Sequence, residues 1–308
     1  KIDKMKNKNI LELCLSPGLG GLELFVVSCY KDFSKKTHCI VAVAPDQKLD
    51  SHLNIENKCH IKRNKFLPFL AAYKLAKHID ENDIDIIHFH WTRDIITAVL
   101  AKKFSTKKPK IIQSRHMGMT RFKNDLYHKW IYKNIDLIHS VTYKVQEQIE
   151  KFISKDVRPK VKTVYLGTKS STIDKEIVAS LQKKYNEKND FIVGIVGRIE
   201  EGKGQHILID AMFKLKDLNV KCLIVGSAMD EKYLKYLKQK VEDLGLSEKI
   251  IFTGFTTNVN EFMQTFDVNI LATENETFGL VVIEAMVNRV AMIATNKGGP
   301  LEIIQDGI

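Results

Sequence analysis

The sequence predicts an α/β fold made of two doubly wound, mostly parallel sheets. Three observations carry that expectation. Short apolar runs of strand length alternate with helix-length stretches almost throughout the chain. The alternation restarts after residues 167–171, a stretch of turn-forming residues without an apolar face. The unusual polar and glycine residues fall at the carboxyl ends of the apolar runs, where ligands bind in such sheets.

In order, residues 10–15 form a first strand, 16–21 a glycine-rich turn and 22–29 the opening of a helix. A strand at 40–44 precedes residues 66–79, which carry apolar side chains at helical spacing. Residues 84–90 are a buried strand, 95–104 a helix, and 110–115 a strand ending at His116. Helix 124–132, strand 137–141, helix 143–153 and strand 161–166 complete the first series. A polar helix at 175–185 leads into the second. Strand 191–196 ends in Gly197-Arg198, helix 203–215 follows, and strand 220–225 ends at Gly226. Helix 233–244, strand 250–252 ending at Gly254-Phe255, and a short helix at 259–266 come next. Strand 267–272 runs through an acidic loop into an apolar helix at 280–286, before apolar segments at 290–294 and 298–303. The expected division is 1–168 and 169–308, and 308 residues suit roughly two domains.

With 44% hydrophobic and 28% charged residues, the composition is that of a globular protein rather than a disordered or fibrous one. No apolar run approaches the ~20 residues needed to span a bilayer, and the lysine-rich start lacks a signal-peptide core. Cys14, Cys29, Cys39, Cys59 and Cys222 are odd in number and include no C-x-x-C pair, which points to reduced thiols in a cytoplasm. Charge is unevenly divided: residues 1–190 carry a net +15 and residues 191–308 a net −4. Lys102, Lys103, Lys107, Lys108 and Lys110 form one cluster, and Lys62, Arg63 and Lys65 another. An electropositive half would suit an anionic membrane surface. Nucleic acid is disfavoured, since no zinc-finger, RNP or basic-zipper signature occurs.

The chemistry concentrates at Glu276-Thr-Phe-Gly-Leu-Val-Val-Ile-Glu284. Glu276 sits in a strand-to-helix loop and Glu284 about two turns into the helix. Gly279 permits close approach of the backbone to a ligand. The N–H groups of Phe278, Gly279 and Leu280 lie at the helix start and suit a phosphate. Ile283, Ala285 and Met286 surround Glu284 with apolar positions, so its carboxylate is expected to be paired. Arg198 and Lys203 are five residues apart at one turn and offer two positive groups.

The second half resembles the donor half of the retaining glycosyltransferases of family 4, through Val196-Gly-Arg-Ile-Glu-Glu-Gly-Lys-Gly204, Ile224-Val-Gly226, Phe252-Thr-Gly254, Glu276-x7-Glu284 and Gly298-Gly-Pro-Leu-Glu302. The first half agrees more loosely, through Gly20-Gly-Leu-Glu23, His88-Phe-His90 and Ser114-Arg-His116. The resemblance implies the GT-B fold: two facing Rossmann-like domains, the second lacking its final helices because family members continue beyond residue 308. It implies a nucleotide-sugar donor, for which UDP is expected, and a glycan or lipid-linked acceptor such as a bacterial surface polysaccharide precursor. Arg198, Lys203, the Gly20-Gly21 turn and the N–H groups at Phe278–Leu280 would face the diphosphate. Glu284 would hold the ribose hydroxyls, with Gly226 and Phe255 completing the nucleotide-binding set. Glu276 and His116 would act at the transferred sugar.

Two further pairs have the residue types of metal ligands. His88 and His90 share one face of a strand, but a third ligand has no evident source in the sequence. Asp83 and Asp85 precede their strand, at the end remote from ligand. No metal and no other cofactor is therefore expected. Two alternatives to transfer stay open: a sugar-nucleotide 2-epimerase of similar fold, and a non-catalytic nucleotide-sugar-binding subunit. A cytoplasmic enzyme, peripheral on the inner membrane face, fits the composition.

Overall fold

The computed structural model describes residues 8–63, 67–170, 172–186 and 188–307. Lys65 of the second basic cluster, Phe66 at the expected helix start, Ser171 of the expected linker and most of the lysine-rich start lie outside the described residues. The chain separates into two compact units, Lys1–Tyr165 and Leu166–Ile308.

The first unit contains β1 (Ile10–Cys14), α1 (Gly21–Phe33), β2 (Cys39–Val43), α2 (Lys48–His52), β3 (Lys58–His60), α3 (Pro68–Glu81) and β4 (Ile86–Phe89). It continues with α4 (Ile95–Phe104), β5 (Lys110–Arg115), α5 (Leu126–Lys133), β6 (Leu137–Ser140), α6 (Tyr143–Phe152) and β7 (Lys160–Thr163). Its strands form one seven-stranded sheet in the order β3-β2-β1-β4-β5-β6-β7, with every pairing parallel. The central strands are buried on both faces, which explains their nearly continuous apolar sequence. Edge strand β7 is partly exposed and accordingly alternates lysine with smaller residues.

The second unit contains α7 (Lys175–Tyr185), β8 (Phe191–Val196), α8 (Gln205–Lys214), β9 (Val220–Val225), α9 (Glu231–Asp243) and β10 (Ile250–Gly254). Then follow α10 (Val259–Met263), β11 (Val268–Leu271), α11 (Leu280–Val287), β12 (Ala291–Ala294) and α12 (Pro300–Ile303). The sheet is again parallel, in the order β10-β9-β8-β11-β12. One face is sealed by Ile195, Leu208, Ile209, Met212, Ile224, Leu237 and Val241. The other is sealed by Ile192, Leu223, Val225, Phe262, Met263, Phe266 and Ala285. Phe266 lies where a side chain at Gly194 would be, with its ring 2.1 Å from that imagined Cβ, so only glycine fits in the middle of β8.

In each unit the strand order reverses beside the first strand, between β1 and β4 and between β8 and β11. Ligands of open α/β sheets bind at the carboxyl side of such a reversal. The turns after β1, β4, β5, β8 and β11 therefore matter most. They hold Gly20-Gly21, His90, His116, Arg198 and Glu276.

Several elements differ from expectation. The helix expected at 203–215 is interrupted at Gly204, whose φ of +72° ends a 3-10 turn, Glu201–Lys203, before α8 begins. The helix expected from residue 66 begins at Pro68, whose missing N–H costs nothing in a first turn. α2 and β3 were not expected, because each is short and polar and forms only by packing beside β2. Among the described residues no helix is long and apolar enough to cross a membrane. All five cysteines are free thiols, and burial pushes Cys39, Cys59 and Cys222 up to about 12.

Candidate functional site

The carboxyl ends of the second sheet are held together by glycines that admit no side chain. Gly226 (φ +147°) presses on the Gly197 carbonyl, 1.9 Å from where a Cβ would stand, and donates its N–H to the Gly254 carbonyl at 2.9 Å. Gly204 lies equally tight against the Ala272 carbonyl, at 2.2 Å. Thr273 Oγ1 donates to the Gly202 carbonyl at 2.8 Å, and Gln205 Nε2 donates to the Arg198 carbonyl at 2.9 Å. These contacts fix the Arg198–Lys203 turn against the end of β11.

From that turn Lys203 Nζ reaches Glu276 Oε2 at 2.9 Å, with both side chains mostly shielded. The resemblance assigns the two groups to different parts of a ligand, the diphosphate and the sugar, and the structure joins them. An ammonium has three donors, so Lys203 can keep Glu276 and still face an anion. Arg198 is half exposed and pairs with Glu200 at 3.0 Å. The Glu276 loop is clasped from behind by Gly298-Gly299. Gly299 donates its N–H to the Glu276 carbonyl at 2.9 Å, and a Cβ on Gly298 would stand 2.2 Å from that same oxygen.

Gly279, at φ +94°, is the cap from which α11 starts, so Leu280 opens the helix beside Glu276. Phe278 is buried under this turn. Glu284 finds no pairing partner within the described protein. Its carboxylate accepts no hydrogen bond from the described residues, and burial alone raises its pKa. An unpaired carboxylate in a half-buried position is costly unless something else supplies donors. Gly226 closes β9 within the glycine contacts above, while Phe255 follows β10 and is 70% exposed. A cavity of 370 Å³ lined by Gln182, Asp190 and Asp267 lies at the amino ends of β8 and β11, remote from all these groups.

In the first unit the glycine turn is shaped from within. Gly20 donates its N–H to Glu23 Oε2 at 2.9 Å in a capping arrangement, so that N–H is engaged, contrary to its expected use on a phosphate. Buried Asp94 accepts the Leu15 N–H at 2.8 Å and so holds the end of β1 where the turn begins. Burial pushes the Asp94 carboxyl up to about 7.

His116, just after β5, is partly buried and stands in a cluster the sequence did not foretell. Its Nε2 is 3.3 Å from His90 Nδ1, and Phe25 from α1 packs edge-on against both rings. Glu12, fully buried in β1, lies 2.6 Å from His90 Nε2 and 2.9 Å from His88 Nδ1. Burial pushes Glu12 up, but the adjoining His88 and His90 rings outweigh it and hold the carboxyl at about 2. Burial lowers His90 to about 4 and holds His116 well below its usual value. The signal in the sequence was a lone glutamate inside the apolar run of β1.

Glu12 supplies beside His88 and His90 the third metal-type ligand for which the sequence shows no evident source. Ligands around an ion bound at ~2.0–2.2 Å stand more than 3 Å apart in a tetrahedron. The separations of 2.6 and 2.9 Å are those of hydrogen bonds between the groups themselves. Asp85 and Asp83 are engaged by Lys8 and Lys107 at the amino end of the sheet. The lysine cluster is less free than its sequence suggested. Lys102 and Lys110 bind Asp136, each at 2.7 Å, and Lys108 donates to the Lys103 carbonyl at 2.6 Å. Arg63 lies over the Trp91 ring at 4.9 Å.

Residues 178–308 match the family model described as glycosyl transferases group 1, and residues 12–142 match glycosyl transferase 4-like. An N-acetyl-alpha-D-glucosaminyl L-malate synthase of Bacillus anthracis is 27% identical over 247 residues, 77% of this chain. The match spans 63% of that relative's length. An uncharacterized glycosyltransferase of Methanocaldococcus jannaschii is 28% identical over 94% of this chain and 79% of its own. Other relatives carry names from capsular polysaccharide and lipopolysaccharide core biosynthesis. Among solved structures, Anabaena HepE in complex with UDP and glucose superposes with a TM-score of 0.83. It is 22% identical, with 98% of this chain and 84% of that one covered, a likeness of fold.

Proposed function

This chain belongs to the group 1 glycosyltransferases and has their GT-B fold, and on that premise we propose that it moves a sugar from UDP-sugar, with retention, to a glycan or lipid-linked acceptor of surface polysaccharide synthesis. The observation that carries the reading is the Lys203–Glu276 pair beside the start of α11, with unpaired Glu284 on the same helix. A nucleoside diphosphate sugar offers what each group lacks. Its diphosphate meets Lys203, Arg198 and the helix start, which stabilise the charge that grows on the leaving group. The ribose hydroxyls donate to Glu284, which removes the cost of its unpaired burial. Glu276 is placed for the sugar ring, where it binds hydroxyls and supports developing positive charge.

Gly21, Gly226, Phe255, Phe278, Gly279 and Leu280 are assigned to the donor as well, and His116 to the transferred sugar, while Gly20 shapes its turn through the bond to Glu23. No metal enters this scheme, since fixed cationic and N–H donors take the part of an ion. The net +15 of residues 1–190 supports placing the enzyme peripherally on an anionic inner membrane face in the cytoplasm, with binding that weakens as salt is added. Incubation of the protein with labelled UDP-sugars tests the function. Transfer to an acceptor is the expected result. Interconversion of the sugar nucleotide would instead assign an epimerase, and binding without turnover a non-catalytic subunit.

A further inference from the structure

The histidine cluster of the first unit has a proton count that its geometry dictates. It begins at the Val164 carbonyl, which can only accept, so His139 Nε2, 2.8 Å away, must donate. Burial holds His139 below its usual value, so the ring is neutral and its Nδ1 is bare. Ser114 Oγ, 2.7 Å from that Nδ1, therefore donates to it and accepts from His88 Nε2 at 2.8 Å. His88 Nδ1 then shares a single proton with Glu12 Oε1. In either position of that proton, Glu12 Oε2 keeps only acceptor capacity, so His90 Nε2 must donate to it across 2.6 Å. His90 is neutral, its Nδ1 is left bare, and His116 Nε2 must carry a proton to meet it.

The neutral His116 then has no proton on Nδ1, and among the described residues that atom has no partner. We propose that Glu12 and His90 are positioning residues that lock His116 into its Nε2–H tautomer, so that it meets the transferred sugar purely as a hydrogen-bond acceptor through Nδ1. The inference rests on the assignment of His116 to the sugar. It adds a constraint on the ligand: the contacting group must be a donor, a hydroxyl, and cannot be an anionic oxygen. The groups facing His116 are His88 from β4, His90 just after it, His139 from β6 and the Phe25 edge from α1. Among the described residues no carboxylate touches His116 directly, so Glu12 acts on it through His90. Glu12, His88, Ser114 and His139 lie on β1, β4, β5 and β6, with His90 and His116 just beyond β4 and β5, and only the sheet order β1-β4-β5-β6 aligns them.

The test is long-range proton–nitrogen NMR of the protein labelled with ¹⁵N-histidine, combined with kinetics. The expected spectrum shows His116 with a protonated Nε2 and a bare Nδ1, unchanged from neutral pH down to mild acid. His90→Gln keeps a donor toward Glu12 and removes the acceptor facing His116. It should retain the melting temperature within a few degrees, release His116 into a mixture of tautomers and lower kcat/KM about tenfold or more. In UDP-sugars with single hydroxyls replaced by fluorine, which cannot donate, one position should lose kcat/KM as fully as its deoxy analogue does. His116 found as the Nδ1–H tautomer or as a cation overturns the inference, whatever the enzyme's activity. The expected tautomer, together with unchanged kcat/KM in His116→Ala, overturns instead the assignment of His116 to the sugar.

Discussion

Gly298→Ala should disable the enzyme without unfolding it, through the Glu276 loop. The added methyl would stand 2.2 Å from the Glu276 carbonyl oxygen, whereas ordinary contact begins at 3.4 Å. The two backbones must therefore part by about 1.2 Å, the difference of those distances. That motion pulls on the Gly299 N–H bond to the same carbonyl and on the side chain that meets Lys203. Alanine at φ +77° adds roughly 1–2 kcal/mol of backbone strain. A misplacement near 1 Å costs about 10²-fold in rate. Release of nucleoside diphosphate from the donor should fall by about that factor, with a melting temperature lowered by several degrees. Gly202→Ala is the control, since a Cβ there meets nothing within 4 Å and the backbone is unstrained. Wild-type turnover in Gly298→Ala would refute the clasp as the device that places Glu276.

Three other outcomes are expected. Glu284→Gln should raise the melting temperature of the ligand-free protein at neutral pH while weakening UDP, measured by calorimetry. The folded carboxyl has a raised pKa, so wild-type stability is lost as pH rises through that value, and the advantage of the glutamine should vanish on acidification. For the same reason wild-type UDP affinity should fall as pH drops and Glu284 takes up a proton. Arg198→Ala and Lys203→Ala should each reduce turnover by ~10²-fold or more, the scale of a lost preorganised donor; near-normal rates would return both to surface charges. Transfer should survive EDTA, and activity abolished by chelation and restored by magnesium or manganese would defeat the metal-free reading.

The sequence by itself determined the fold class, the strand and helix alternation and the loops that carry the chemistry. Burial on both faces forces apolar runs at strand length, and glycines mark the strand ends where backbones nearly touch. Its pattern also led to Arg198, Lys203, Glu276 and Glu284 through their spacing around two turns. What it could not give was who meets whom across the sheet. Lys203 and Glu276 are 73 positions apart and pair only because β8 lies beside β11. Glu12 and His90 are 78 positions apart and meet only because β1 lies beside β4. The engagement of the Gly20 N–H by Glu23 and the unpaired state of Glu284 are likewise tertiary facts. Periodicity along a chain records which face of an element is buried, whereas hydrogen-bond partners and proton positions depend on the distances that folding sets between separate elements.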